Sequence, residues 1–261
     1  MTTSAIELPA TESPAASEEA STDERRAHLL RGAKLQAVAL AGGIPLILAA
    51  WVLAARALAL DVVFASRAAT LSAVPVLLVA ISAPLFLEAR REVRERNFVV
   101  QWFVIALFFN VWWEVPQLLL KDVFAAATYD LEHLPRFIAW WGYGTSDLDY
   151  YRLTDFFVLA EVSFWVANLV AIAGLWKAYR GRELAAMLLL GVCGALQVYN
   201  VFFFLAYGGI CEGFSNIATD AWIAPTLYWV MNGMWAVAGL VASILAFRTV
   251  RRMFVAATIR A

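Results

Sequence analysis

Hydrophobic residues run in six long blocks along this 261-residue chain, separated by short polar stretches. The blocks lie at about 35–58, 68–88, 98–120, 153–176, 183–208 and 222–247, each near the roughly 20 residues that a bilayer-crossing helix needs. The pattern predicts an all-α fold, a polytopic bundle of about six transmembrane helices. Residues 1–33, rich in Ser, Thr, Glu, Ala and Pro, read as a disordered tail. They lack the order of a signal peptide, because Glu18 and Glu19 precede the basic cluster and no cleavage pattern follows. Residues 34–66 form one unit with the first span, 67–252 the main transmembrane domain, and 253–261 a C-terminal tail. The longest connection, 121–152, reads as a loop; its aromatic residues suit a membrane interface.

Charge orients this arrangement. Fifteen of the twenty basic residues fall on one set of connections, including Arg90, Arg91, Arg94, Arg96, Lys177, Arg180, Arg182, Arg248, Arg251 and Arg252. The positive-inside rule then puts both termini in the cytoplasm, which requires an even number of spans and so supports six over five. Hydrophobic residues make up 62% and charged residues 16%, a balance that excludes an ordinary soluble domain. The net charge of −1 gives no case for nucleic-acid binding. Arginine outnumbers lysine and alanine is abundant, which favours a bacterial cytoplasmic membrane; in a eukaryote the expectation is the endoplasmic reticulum. Cys193 and Cys211 are separated by about 27 Å if helical, too far for a disulfide, and their spacing suits no metal. No metal or cofactor is implied. His28 and His133 sit in polar segments and read as surface residues. The residues leave the oligomeric state open, a homodimer included.

Glu114 and Glu161 break the pattern. A carboxylate at bilayer depth costs roughly 2.5 kcal/mol or more, so such residues face a protein interior and mark a functional site by default. Asn110 and Glu114 are four residues apart and share a helix face. So do Gln197 and Asn200 in the fifth span, and Asn232 and Trp235 in the sixth. Four helices thus carry polar faces that gain most by converging. The blander alternative stands beside this: Asn and Gln as interhelical glue, and the glutamates as a protonated structural pair. The sharper one is chemical. A carboxyl in an apolar site can stay protonated and ready to donate, a second can accept, and a Trp face steadies a cation. Such a set suits protonation of an alkene in an apolar ligand that enters from lipid.

Several strings bear a resemblance. Asn110 and Glu114, then Trp140, Tyr143, Asp147 and Tyr150, then Asp155, Phe156 or Phe157 and Glu161, then Gln197 and Tyr199, then Met231, Asn232 and Trp235 occur in an order that resembles the emopamil-binding protein family. These are the sterol Δ8–Δ7 isomerases and their EXPERA-domain relatives. The resemblance covers roughly residues 98–247 and implies a five-helix core with one added N-terminal span. It implies that Glu114 and Glu161 act as acid and base, that Asn232 hydrogen-bonds a carboxyl and that Trp235 faces the cation. Asn110 occupies the position of the family's histidine. Tyr199, Gln197, Asn200, Trp113, Tyr143, Asp147, Tyr150 and Asp155 are expected to line the ligand site. The implied partners are a sterol or terpenoid, cationic amphiphiles and membrane lipid. Three positions depart from the family: Asn110 replaces His and exchanges no proton at neutral pH, Asp149 replaces a loop Arg, and Asn200 replaces a Gly. The missing His resembles the sigma-2 receptor branch, which binds sterols without known isomerisation. The Asn110–Glu114 string also resembles the glutamate helix of membrane terpene cyclases. The expected function is thus a sterol or terpenoid double-bond isomerase, with a non-catalytic lipid-binding protein and a terpene cyclase as alternatives.

Overall fold

The computed structural model describes residues 34, 36–87, 90–152 and 155–260, so the N-terminal tail and Glu88 lie outside the described residues. Helix α1, Ile44–Leu58, continues from a π-helical turn at Ala39–Gly43 and ends at Ala59, which takes the left-handed conformation (φ 49°). Helix α2 spans Val62–Leu87. The Asp61 carboxylate accepts the Phe64 N–H at 2.7 Å and so caps its first turn. Helix α3, Arg91–Phe109, runs through a second π turn, Asn110–Glu114, into α4, Val115–Ala126. Two short helices follow, α5 at Leu134–Gly144 and α6 at Asp149–Arg152. The last three spans are α7, Asp155–Tyr179, α8, Glu183–Ile210, and α9, Ile223–Arg260.

Six helices are long and apolar enough to cross a membrane, which makes this an all-α bundle of the integral-membrane type. The third of them, Arg91–Leu120, joins α3, the π turn and α4, and it is the most buried. α3 packs against α2, α7, α8 and α9. Val99, Trp102, Phe103, Ile105 and Ala106 form the centre of the core. α1 is peripheral. It leans on α2 and α5, and Leu46, Leu53 and Leu58 stay exposed on its outer side. Glycine permits the closest approach between α8 and α9: a Cβ at Gly194 would lie 2.8 Å from the Gly239 carbonyl oxygen.

Two expectations need correction. The segment 121–152 is not an open loop, since it holds the end of α4 and the helices α5 and α6. Leu134, Ile138 and Trp141 line one side of α5 and are buried against α1 and α2. The approach is tight, since a Cβ at Gly142 would meet Thr70 Oγ1 at 2.0 Å. Likewise the third span begins at Arg91 rather than near 98. Its charged first turns hold buried ion pairs. Glu95 binds Arg91 at 3.0 Å, Arg248 at 3.4 Å and Arg252, while Arg96 pairs with Glu183. The same pairing carries α9 well past residue 247.

Candidate functional site

The site forms where α3 gives way to α4. Pro116 has no N–H to donate, so the hydrogen-bond ladder must rearrange near it. It does so through the π turn, in which the Val115 N–H bonds the Asn110 carbonyl. π turns of this kind gather at functional sites. This one holds both Asn110 and Glu114 on the wall of a cavity of about 840 Å³, counted out to its mouth. The cavity is enclosed by the π turn, α5, α6, α7, α8 and α9.

Glu114 and Glu161 face each other across it, within hydrogen-bonding reach. For two carboxyls to hydrogen-bond each other, one of the pair must carry a proton. The Tyr150 hydroxyl donates to Glu114 Oε2 at 3.0 Å. Tyr150 is itself fixed from behind by Gln117, whose amide donates to the Tyr150 carbonyl at 2.8 Å. The Tyr143 and Tyr150 rings meet edge to face at 5.0 Å. Among the described residues no Lys or Arg lines the cavity.

Asp147 forms a second acidic point on the wall and is fully buried. It accepts from Asn216 Nδ2 at 3.2 Å and from the Asp149 N–H at 3.2 Å, and the Tyr143 hydroxyl lies 3.5 Å away. Burial pushes its carboxyl up to about 7, and neighbouring Asp149 adds to the rise. Burial, and after it Asp147, keeps the Tyr143 phenol protonated well beyond the usual range. The loop that carries Asn216 is stitched to this region. Leu148 N–H bonds the Asn216 carbonyl, and Ala218 N–H bonds the Ser146 carbonyl. Arg67 completes the seam: it is 3% exposed, reaches Thr145 and binds Asp220 at 2.8 Å.

The apolar end of the cavity is aromatic. Trp235 packs on Trp102 at 5.0 Å and on Phe109 at 6.0 Å. Trp102 Nε1 donates to Gln197 Oε1 at 3.0 Å, which fixes that amide on the wall. Trp113 is buried beside it, and its carbonyl accepts from Trp140.

The expected residues therefore divide. Asn110, Trp113, Glu114, Glu161 and Trp235 line the cavity, as do Tyr143, Asp147, Tyr150, Gln197 and Asn232. Tyr199 does not: it is 62% exposed on the outer side of α8, stacked on Phe203. Asn200 is buried between α7 and α8, where it accepts from Ser163 at 3.0 Å. The spacing of Gln197 and Asn200 did not bring them to one site, because each bonds a different neighbour. The side chain of Asp155 lies outside the described residues. Among the described residues Asn232 bonds no carboxyl; its Nδ2 donates to the Tyr143 hydroxyl at 3.0 Å and to the Tyr228 carbonyl. Asn110 turns its amide back onto the Ala106 carbonyl at 2.8 Å.

Phe157 and Met231, quoted above for the resemblance, also line the cavity. Other wall residues escaped the sequence: Phe164, Val201 and Phe204 line the cavity, yet an apolar side chain in an apolar helix gives no signal. Arg67, Asn216 and Asp220 were missed because their partners are distant in the chain. No protein-family model, curated protein or solved structure matches this chain.

Proposed function

We propose that this protein is a membrane-embedded enzyme that isomerises a double bond of a sterol or terpenoid through a carbocation, in the manner its resemblance to the emopamil-binding protein family implies. One observation carries the reading: two carboxyls, Glu114 and Glu161, within hydrogen-bonding reach of each other on the wall of a largely apolar cavity. The protonated carboxyl gives its proton to one alkene carbon. The neighbouring carbon becomes cationic and is steadied by the π face of Trp235 and by the remaining carboxylate. Loss of a proton from the next carbon to a carboxylate restores the double bond one position along. The hydrogen bond from Tyr150 holds Glu114 in place for this. Val111, Leu159 and Val162, exposed on the two helices that bear the glutamates, make the surroundings of the mouth suit hydrocarbon and an apolar substrate. The positive-inside bias supports cytoplasmic termini, with the cavity towards the opposite face.

The test is turnover of a Δ8 sterol and of a polyprenyl substrate by purified protein, read by mass spectrometry. Glu114→Gln and Glu161→Gln are expected to abolish product; survival of turnover in both would sink the reading. A cyclised polyprenyl product would move the assignment to a terpene cyclase with the same acid. One observation favours a second reading, non-catalytic lipid binding. Asn110, bonded to its own helix, supplies no relay to Glu114. Saturable sterol binding without any Glu114-dependent product would select it.

A further inference from the structure

We propose that Asp147 is the port through which the Glu114–Glu161 pair exchanges its proton with solvent. The inference rests on the same site as the reading above but needs no turnover to be tested.

A proton held by the pair has three directions in which to leave. Towards the arginine-rich ends of the helices the way is closed by packed side chains. Val99, Trp102, Phe103, Ala171, Met187 and Leu190 are all at most 1% exposed. Sideways, the helices that carry the glutamates present Val111, Leu159 and Val162 outward, 60%, 59% and 52% exposed, which is a hydrocarbon-facing surface. The third direction is polar. From Glu114 it passes to the Tyr150 hydroxyl; Tyr143 is next along the wall, its ring against that of Tyr150, and a water in the cavity would bridge the two hydroxyls. The Tyr143 hydroxyl faces Asp147. Asp147 lies under the seam made by Asn216, Ser146 and Ala218.

The groups around Asp147 suit a relay rather than an ion pair. Among the described residues those that face it are Asp149, Tyr143, Tyr228, Glu161 and Asn216, none of them a cation. The nearby cation, Arg67, is engaged by Asp220 and Thr145. With its carboxyl raised to about 7, Asp147 both takes and gives a proton near neutral pH. Each tyrosine hydroxyl, and the bridging water between them, accepts a proton on its oxygen as it passes its own forward. The relay therefore leaves both phenols unchanged and moves one proton between Asp147 and the pair.

The experiment follows the infrared carbonyl stretch of the protonated carboxyl in protein reconstituted in lipid vesicles and transferred from H2O to D2O. Loss of the band in Glu114→Gln and Glu161→Gln assigns it to the pair. In Asp147→Asn, which keeps size and shape, deuterium exchange of that band is expected to slow roughly a hundredfold, the lower end of what a positioned acid–base group contributes. Tyr143→Phe, which leaves the carboxylate and the seam in place, is expected to slow it as well. Asp130→Asn, an exposed control, should leave the rate unchanged. Exchange as fast as wild type in both Asp147→Asn and Tyr143→Phe overturns the proposal, and so does the absence of any protonated-carboxyl band in the wild type. Failure of the isomerase reading would show instead as absent turnover with the exchange pattern intact.

Discussion

Two regions of this bundle bury acidic side chains, and they treat them in opposite ways. At the arginine-rich end Glu95 is held by Arg91, Arg248 and Arg252, and Glu183 is held by Arg96. In the cavity Glu114, Glu161 and Asp147 have tyrosines, amides and each other for neighbours, and no Lys or Arg of the described residues shares the wall. The first arrangement fixes charge and ties α3 to α8 and α9. The second keeps protons available. A buried ion pair can be replaced by apolar packing with little loss, so its presence speaks for structure. An acid buried without a counter-charge costs stability and is kept for what it does.

The comparison is broken most sharply at the glutamate pair. Replacing either member by Gln preserves size and removes an exchangeable proton. Turnover is expected to fall by roughly 10²–10⁴-fold, the range for general acid–base groups, while the thermal midpoint changes little. A large loss of stability with activity per folded molecule retained would place these residues with the structural acids. The mirror experiment is Arg96→Met. It strips the partner from Glu183, whose side chain is 10% exposed and whose Oε2 already lacks a hydrogen bond among the described residues. Removing one side of a buried pair costs about 3–5 kcal/mol. Unfolding should therefore shift by that amount, with turnover per folded molecule intact.

Asp147 gives an intermediate effect with a pH signature. Its carboxyl rises from 3.8 to about 7 on folding. Below pH 3.8 both states are protonated and the group contributes nothing. Between these values the native state holds more protons than the unfolded one, so stability falls as pH rises. Above pH 7 the full cost, about 4 kcal/mol, is in place. Asp147→Asn should be more stable than wild type at pH 8 and equal to it at pH 4, as denaturation at the two pH values will show. Asp220, lowered by Arg67, runs the other way and loses its contribution as pH falls. A pH-independent difference between wild type and Asp147→Asn would place Asp147 with the paired acids instead.

How much of this was legible follows from where the signals lay. The six spans stood out because lipid demands long apolar runs, and Glu114 and Glu161 stood out by violating them. Helix α5 was missed although Leu134, Ile138 and Trp141 recur at i, i+4 and i+7, because eleven residues are too few to cross a bilayer and the segment was measured against that length. Asp147 was visible as a candidate, but its burial depends on the Asn216 seam, a contact 69 residues away in the chain. The Arg67–Asp220 clamp spans 153 residues and leaves no local trace. Tyr199 failed for the opposite reason: a polar-tipped aromatic on an apolar helix fits either face, and only packing decides.

The smallest effect concerns how each region meets positive charge. At the arginine-rich end cations are met by carboxylates, whereas in the cavity the indole of Trp235 lines the wall as well. A protonated amphiphilic amine mimics a carbocation in charge and should bind there. Cation–π attraction is worth about 2 kcal/mol when desolvated, so Trp235→Ala should weaken such an amine by roughly thirtyfold. Trp235→Phe keeps a π face against Trp102 and Phe109 and should recover part of that loss. A neutral analogue of the same shape separates charge from packing: its affinity should fall much less in Trp235→Ala than that of the amine. Equal losses for amine and neutral analogue would mean that Trp235 serves only as a wall, and that the carboxyls alone distinguish the cavity from the rest of the bundle.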